Sequence, residues 1–258
     1  MIANYVLESR NLTKHFGNFT AVSDVSIKVQ RGTIHALIGP NGAGKTTVFN
    51  LLTKYLQPTR GQILLDGQDI TSAGPAAIAR AGLVRSFQIS AVFPHMTVME
   101  NVRIGLQSRT GNSYQFWRSQ KSLRALEARA LELLDSVGLA AQAGLTTAGL
   151  PYGQKRALEL ATTLALEPTV MLLDEPTQGM GHEDVARVTA LIRQVSAGRT
   201  VLMVEHNMSV VSSIADIITV MQRGMVIDEG PYAQVSRNPK VIEAYMGTSV
   251  PELAQPHP

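Results

Sequence analysis

The 258-residue sequence has no cysteine, which excludes disulfides and thiolate metal sites and fits a reducing compartment. It also lacks any run of about 18 apolar residues, the length a membrane-spanning helix needs. Its first residues, MIANYVLESRNL, show no basic segment followed by an apolar one, so the expectation is a chain that neither spans a membrane nor carries a secretory signal. Aromatics make up only 5% of the residues, and 23 Lys and Arg stand against 20 Asp and Glu without forming a basic stripe. Nucleic-acid binders usually combine such a stripe with stacking rings, so no nucleic-acid partner is expected. Internal repeats and low-complexity tracts are absent as well. What remains is an ordinary globular composition, 45% hydrophobic with 21 glycines, in a chain long enough for one large α/β domain or two small ones.

Short apolar, β-rich runs alternate with helical patterns: TIHALIG then KTTVFNLLTKYL, VMLLDE then EDVARVTALIRQVSA, TVLMVEH then MSVVSSIADI. That alternation predicts a parallel sheet flanked by helices. Earlier segments, YVLESRNLTKHF, VSDVSIKVQRG and GQILLDGQDI, read as strands joined by polar or glycine turns, which predicts an antiparallel layer beside the parallel one. Leu123, Leu126, Ala130, Leu133 and Val137 recur at helical spacing before Gly138, a suitable cap, and mark a helical segment inserted into the α/β core. QSRTGNSYQF reads as a polar loop before it, and the Pro-rich SVPELAQPHP as a fraying tail.

Two stretches carry chemistry. GPNGAGKTT, which is Gly39, Pro40, Asn41, Gly42, Ala43, Gly44, Lys45, Thr46 and Thr47, matches the P-loop pattern and lies between an apolar run and a helical one. Gly42 and Gly44 let the backbone turn so that its N–H groups face phosphate oxygens, and the helix behind them adds its positive end. Lys45 can then reach the β- and γ-phosphates, with the Thr46 hydroxyl placed for Mg²⁺. VMLLDEP ends an apolar strand in two carboxylates, at the strand edge where open α/β sheets bind ligands. Asp174 suits Mg²⁺ held through water, and Glu175 suits polarisation of an attacking water.

LPYGQ, residues 150–154, lies upstream of the LLDE strand. With the P-loop, it makes the chain resemble the nucleotide-binding subunit of an ABC transporter over about residues 5–247. The resemblance implies a single ABC nucleotide-binding domain: a mixed α/β sheet with a parallel core, an antiparallel β layer, an inserted helical subdomain at about 95–168, and a flexible tail at 248–258. It implies ATP and Mg²⁺ as ligands, ATP hydrolysis, and a second ABC ATPase subunit, identical or different, packed head to tail. LPYGQ is similar to the family signature written LSGGQ, which caps ATP held by the neighbouring subunit's P-loop. Tyr152, Gly153 and Gln154 would therefore serve another chain's nucleotide, Gly153 allowing close approach and a helix from near Gln154 aiming its positive end at the γ-phosphate. Pro151 and Tyr152 replace the usual Ser and Gly, removing a hydroxyl and one backbone donor.

Further positions follow from the same resemblance. Phe16 corresponds to the aromatic that stacks on adenine, although an aromatic beside a strand also serves a core. Gln88 corresponds to the residue that touches Mg²⁺ and water and links to the membrane partner. His206 corresponds to the switch histidine that contacts the γ-phosphate, and Gly181 stands where many relatives have an Asp in the subunit-contact loop. Val92, Phe93 and Met96 form either a docking surface or a locally packed loop. RSFQISAVFPHMTVMENV, PYGQKR and GPYAQVSRNPKVIEAYMG bring the chain nearest to ATPases of branched-chain amino acid importers. Such a subunit would sit peripherally on the cytoplasmic face of the inner membrane, bound to integral-membrane permease subunits and acting indirectly with a solute-binding protein. ATPases for urea, short-chain amides or lipopolysaccharide export are alternatives, as are soluble non-transport ABC ATPases and small-molecule P-loop kinases.

Overall fold

A computed structural model describes residues 5–86, 92–109 and 120–246. In chain order the strands are β1 (Tyr5–Phe16), β2 (Phe19–Gln30), β3 (Ile34–Ile38), β4 (Arg60–Leu65), β5 (Gln68–Asp69), β6 (Leu83–Ser86), β7 (Val170–Asp174), β8 (Thr200–Val204), β9 (Ile217–Gln222) and β10 (Met225–Gly230). The helices are α1 (Lys45–Leu52), α2 (Pro75–Arg80), α3 (Val98–Arg109), α4 (Gln120–Ser136), α5 (Tyr152–Ala165), α6 (His182–Val195), α7 (Met208–Ile214), α8 (Tyr232–Val235) and α9 (Pro239–Met246).

The strands form two sheets. One has four strands in the order β2-β1-β4-β5, and the other six in the order β10-β9-β3-β8-β7-β6. In the first sheet β1 pairs antiparallel with both β2 and β4, the expected antiparallel layer. In the second, β9, β3, β8, β7 and β6 run parallel, and β10 pairs antiparallel with β9. The predicted α/β class and mixed sheet are both present.

Side chains alternate across a strand, so the buried six-stranded sheet fills two cores. Ile34, Ala36 and Ile38 of β3, Met171 and Leu173 of β7, and Val201 and Met203 of β8 face one apolar cluster. Leu37, Val170, Leu172, Leu202 and Val204 face the other, against Phe49 and Leu52 of α1 and Val25, Ile27 and Val29 of β2. The first cluster also takes Val102 of α3, Leu134 of α4, Leu158 of α5 and Ile192 of α6. The helical segment thus shares a continuous core with the sheet. Where α3 meets α5, a Cβ on Gly105 would lie 2.9 Å from the Cβ of Ala165, so the helices approach too closely there for a larger side chain. The expected helix ahead of Gly138 is α4, and Gly138 has φ +71° just beyond it, as a left-handed cap requires. The start of QSRTGNSYQF belongs to α3, while 110–119 and the tail 247–258 lie outside the described residues.

Candidate functional site

The loop Gly39–Gly44 leaves the C-terminal end of β3 and turns into α1. Its backbone is dictated by two close approaches. A Cβ on Gly39, at φ +151°, would stand 2.2 Å from the Met221 carbonyl oxygen, and one on Gly44, at φ +98°, 2.8 Å from that of Ala21. No other residue fits either place without moving backbone. Within the loop the Ala43 N–H donates to the Pro40 carbonyl, and Ala43's own carbonyl accepts from Gly224, which ties the loop to the turn between β9 and β10. Asn41, Gly42 and Thr46 are exposed and Thr47 half-buried at the mouth of this turn.

Lys45 opens α1 and is buried; its Nζ donates to the carbonyls of Gly39 at 2.6 Å and Pro40 at 3.1 Å. Burial pushes its pKa below the usual lysine value, and the Glu175 charge opposes that shift. The P-loop lysine and the strand-end glutamate are therefore electrostatic neighbours.

Asp174 ends β7 with its side chain 1% exposed, and it forms an ion pair with Arg85 of β6, itself 11% exposed. Arg85 also donates to Oδ1 of Asn50 on α1 at 2.7 Å and lies over the rings of Phe49 and Tyr55. Glu175 follows, half-buried, at φ +44°, in the left-handed region that a glutamate rarely adopts. Its N–H donates to the Val204 carbonyl at 2.9 Å and its carbonyl accepts from Gln178, so β8 and the following turn hold it there. His206 lies just beyond β8 with an exposed imidazole, its Nδ1 3.8 Å from Oε2 of Glu205. A groove of about 1080 Å³ runs beside the P-loop, lined by Pro40, Asn41, His206, Arg193 and Tyr245 among others.

Phe16 lies at the end of β1, 47% exposed, with the Lys14 ammonium 5.1 Å from its ring centroid. It is thus a presented ring and not part of either core. Phe93 and Met96 are exposed while Val92 packs on the larger core, and Asn101 pins the segment by hydrogen bonds to the Phe93 backbone and to Thr147. Gln88 lies outside the described residues.

The LPYGQ turn departs from expectation in one respect. Helix α5 begins at Tyr152, capped by Pro151, two positions before the expected start near Gln154. At the N-cap position Pro151 has φ −55° and ψ 156°, and its carbonyl accepts from the Lys155 N–H at 3.0 Å, the first bond of the helix. Tyr152 is 45% exposed, and its hydroxyl donates to the Gln178 carbonyl at 3.3 Å while Arg156 donates to it. A Cβ on Gly153 would lie 3.1 Å from Oδ1 of Asp184 on α6, and Gln154 is half-buried. Within its own chain the turn is thus braced against the segment after Glu175.

Residues 22–178 match the family model described as ABC transporter, and residues 226–251 match the one described as branched-chain amino acid ATP-binding cassette transporter. The chain belongs to the ABC transporter family. It is an ATP-binding cassette ATPase, and its relatives align along nearly their whole length. A high-affinity branched-chain amino acid transport ATP-binding protein, BraF of Pseudomonas aeruginosa, is 38% identical over 94% of this chain and 98% of its own. The corresponding LivG protein of Escherichia coli K12 is 37% identical with the same coverage. Among solved structures, an ATP-binding cassette of an ABC transporter in its ADP conformation superposes with a TM-score of 0.83 at 30% identity, over 94% of this chain and 99% of that one. Part of the cbiONQ transporter complex of Clostridium perfringens, cbiO1, gives 0.79 at 26% identity over 97% of each chain.

Two residues of this cassette's site escape motif reading: Arg85, which holds Asp174, and Glu205, which precedes His206. Their signal is a charge at or inside an apolar strand, as at Asp174.

Proposed function

We propose that this cassette is the ATP-hydrolysing subunit of a membrane importer for branched-chain amino acids or related amino acids and amides. The observation that carries the reading is the convergence of Lys45, Asp174, Glu175 and His206 at the C-terminal ends of the adjacent parallel strands β3, β7 and β8. The solute class follows the branched-chain model matched at residues 226–251 and the BraF and LivG relatives.

The loop N–H groups and the start of α1 would cradle the phosphates, and Lys45 would exchange its carbonyl partners for phosphate oxygens. Phe16 offers a ring for adenine, with Lys14 already at its face. Glu175 would accept a proton from the attacking water while His206 orients it against the γ-phosphate. The donors available to Mg²⁺ are hard oxygens, the Thr46 hydroxyl and the Asp174 carboxylate. Among the described residues no cluster of three His, Asp or Glu could hold a metal, which suits an ion kept largely by nucleotide phosphates. When bound, the ion would neutralise charge on the transferring phosphoryl group.

Gly153 and the N-terminal end of α5 would close on a nucleotide held by a second cassette. Phe93 and Met96, with Gln88 beside them in sequence, would face integral-membrane subunits at the cytoplasmic surface. Among the described residues no helix is long and apolar enough to cross a membrane, so attachment through such subunits fits. The test is co-expression with permease subunits of a branched-chain amino acid importer, reconstitution in vesicles, and measurement of ATP-dependent leucine uptake. Uptake of urea but not of leucine would replace the solute, and phosphate transfer to a small molecule would replace the transport reading itself.

A further inference from the structure

Glu205 is fully buried, and its carboxylate receives donors from two different loops. Oε1 accepts from the Thr177 N–H at 3.1 Å and from the Thr177 hydroxyl. Oε2 accepts from the N–H groups of His206 at 2.8 Å and Asn207 at 3.1 Å. Thr177 stands two residues beyond Glu175, so one carboxylate joins the segment of the proposed base to the segment of the proposed switch histidine. The two segments leave neighbouring parallel strands, where Asp174 lies opposite Val204. They are tied a first time by the hydrogen bond from the Glu175 N–H to Val204, and Glu205 ties them a second time, one step further out. Asn207 then caps α7 through the N–H groups of Ser209 and Val210, fixing the far end of the histidine's turn.

We propose that Glu205 is a positioning residue for hydrolysis: its carboxylate clamps the Glu175 segment to the His206 segment and so sets the spacing of the two side chains. The chemistry explains the residue type. Three backbone N–H groups and one hydroxyl converge on a buried point, and a carboxylate alone offers about four acceptor sites and no competing hydrogen. An apolar side chain would leave those N–H groups unsatisfied. Glutamine would turn an amide N–H toward at least one of them.

The proposal rests on the ATPase reading for its effect on turnover, and two measurements separate its failure from the failure of that reading. In the full chain with Mg-ATP, Glu205→Gln is expected to lower kcat about tenfold with KM within about twofold. In a His206→Ala background the same change should lower kcat by less than about twofold, because the clamp acts through the histidine. Independently of turnover, the amide resonances of Thr177, His206 and Asn207 should all move in Glu205→Gln. If that variant does not fold, Glu205→Asp, which keeps the charge and shortens its reach, should move the same amides and lower kcat in the same sense. A kcat within twofold of the parent, a matching rise in KM, a full additional loss in the His206→Ala background, or an unmoved Thr177 amide would each overturn the clamp. A parent chain that hydrolyses no ATP even with its second cassette and permease subunits present would defeat the ATPase reading, leaving the amide shifts to decide the clamp.

Discussion

Glu175 occupies the left-handed region at φ +44°, an arrangement that costs on the order of 1 kcal/mol or more and persists only where neighbours impose it. Here the imposition is the hydrogen bond to Val204 at the end of β8, which holds the side chain at the sheet edge near Lys45. If it accepts the water's proton, Glu175→Gln should keep ATP affinity and lose roughly a hundredfold or more in kcat; hydrolysis at the parent rate in a phosphate-release assay would remove Glu175 from that role. Arg85 acts on stability instead. Its guanidinium pairs with the almost wholly buried Asp174, and removing one member of such a pair leaves an uncompensated buried charge, at about 3 kcal/mol or more. Arg85→Met keeps an apolar stem over Phe49 and Tyr55 while deleting the charge. Urea unfolding should show a fall of about 3 kcal/mol, and a change under about 0.5 kcal/mol would mean the pair contributes little in solution.

At the scale of elements, β3, β9 and β10 are cross-linked by a polar chain through the sheet. His35 Nε2 lies 2.7 Å from the Thr219 hydroxyl, which donates to Oε2 of Glu229 at 2.6 Å. That order makes Nε2 the donor, and Nδ1 is buried with no hydrogen-bond partner among the described residues, so a second proton would be stranded there. Burial pushes the His35 pKa down from 6.5 to about 4, with Glu229 4.0 Å away. A histidine depressed on folding contributes stability that is complete above the unfolded value of about 6.5 and is lost as pH falls toward about 4, because the unfolded chain takes the proton first. The loss across that window is roughly 3 kcal/mol, from about 1.4 kcal/mol per pH unit. His35→Gln should flatten the dependence of urea midpoint on pH between about 6.5 and 4, and an unchanged slope would assign it to other groups. None of this was legible in TIHALIG, where the histidine reads as one residue of an apolar strand. Its setting comes from Thr219, 184 positions away in the chain. The P-loop and the strand-end carboxylates were legible because their chemistry is contiguous in sequence. Arg85 with Asp174, Glu205 with Thr177, and Tyr152 with Gln178 were not, since each pair is made by packing. Helix α5 starts two residues ahead of Gln154, at Tyr152, with Pro151 in the N-cap position and without the side-chain oxygen that usually marks one.

On the scale of the whole molecule, the P-loop and the LPYGQ turn have different surroundings within one copy. The P-loop opens onto a groove that includes His206 and the α6–α7 surface, whereas Tyr152 is braced against Gln178 on the segment after Glu175. A head-to-tail pair would bring the start of α5 in one copy over the P-loop of the other, leaving each glycine turn to serve its neighbour's nucleotide. The absence of cysteine makes this directly testable, because any introduced thiol is the only one in its chain. Asn41→Cys, on the exposed P-loop, and Tyr152→Cys, at the start of α5, would be prepared as separate proteins, each with Glu175→Gln to slow hydrolysis. Mixed and oxidised with ATP, they should give a disulfide-linked species of twice the chain mass. Neither protein alone should do so, and the mixture without ATP should give little if nucleotide binding is what draws the pair closed. Splitting the thiols between chains excludes an intrachain bond, and a position-specific bridge demands Cα atoms within about 7 Å. Equal crosslinking by either protein alone would indicate a different pairing of copies. Crosslinking that ignored ATP would mean that the surfaces meet without the nucleotide, and the assignment of Gly153 to a neighbour's phosphate would fall.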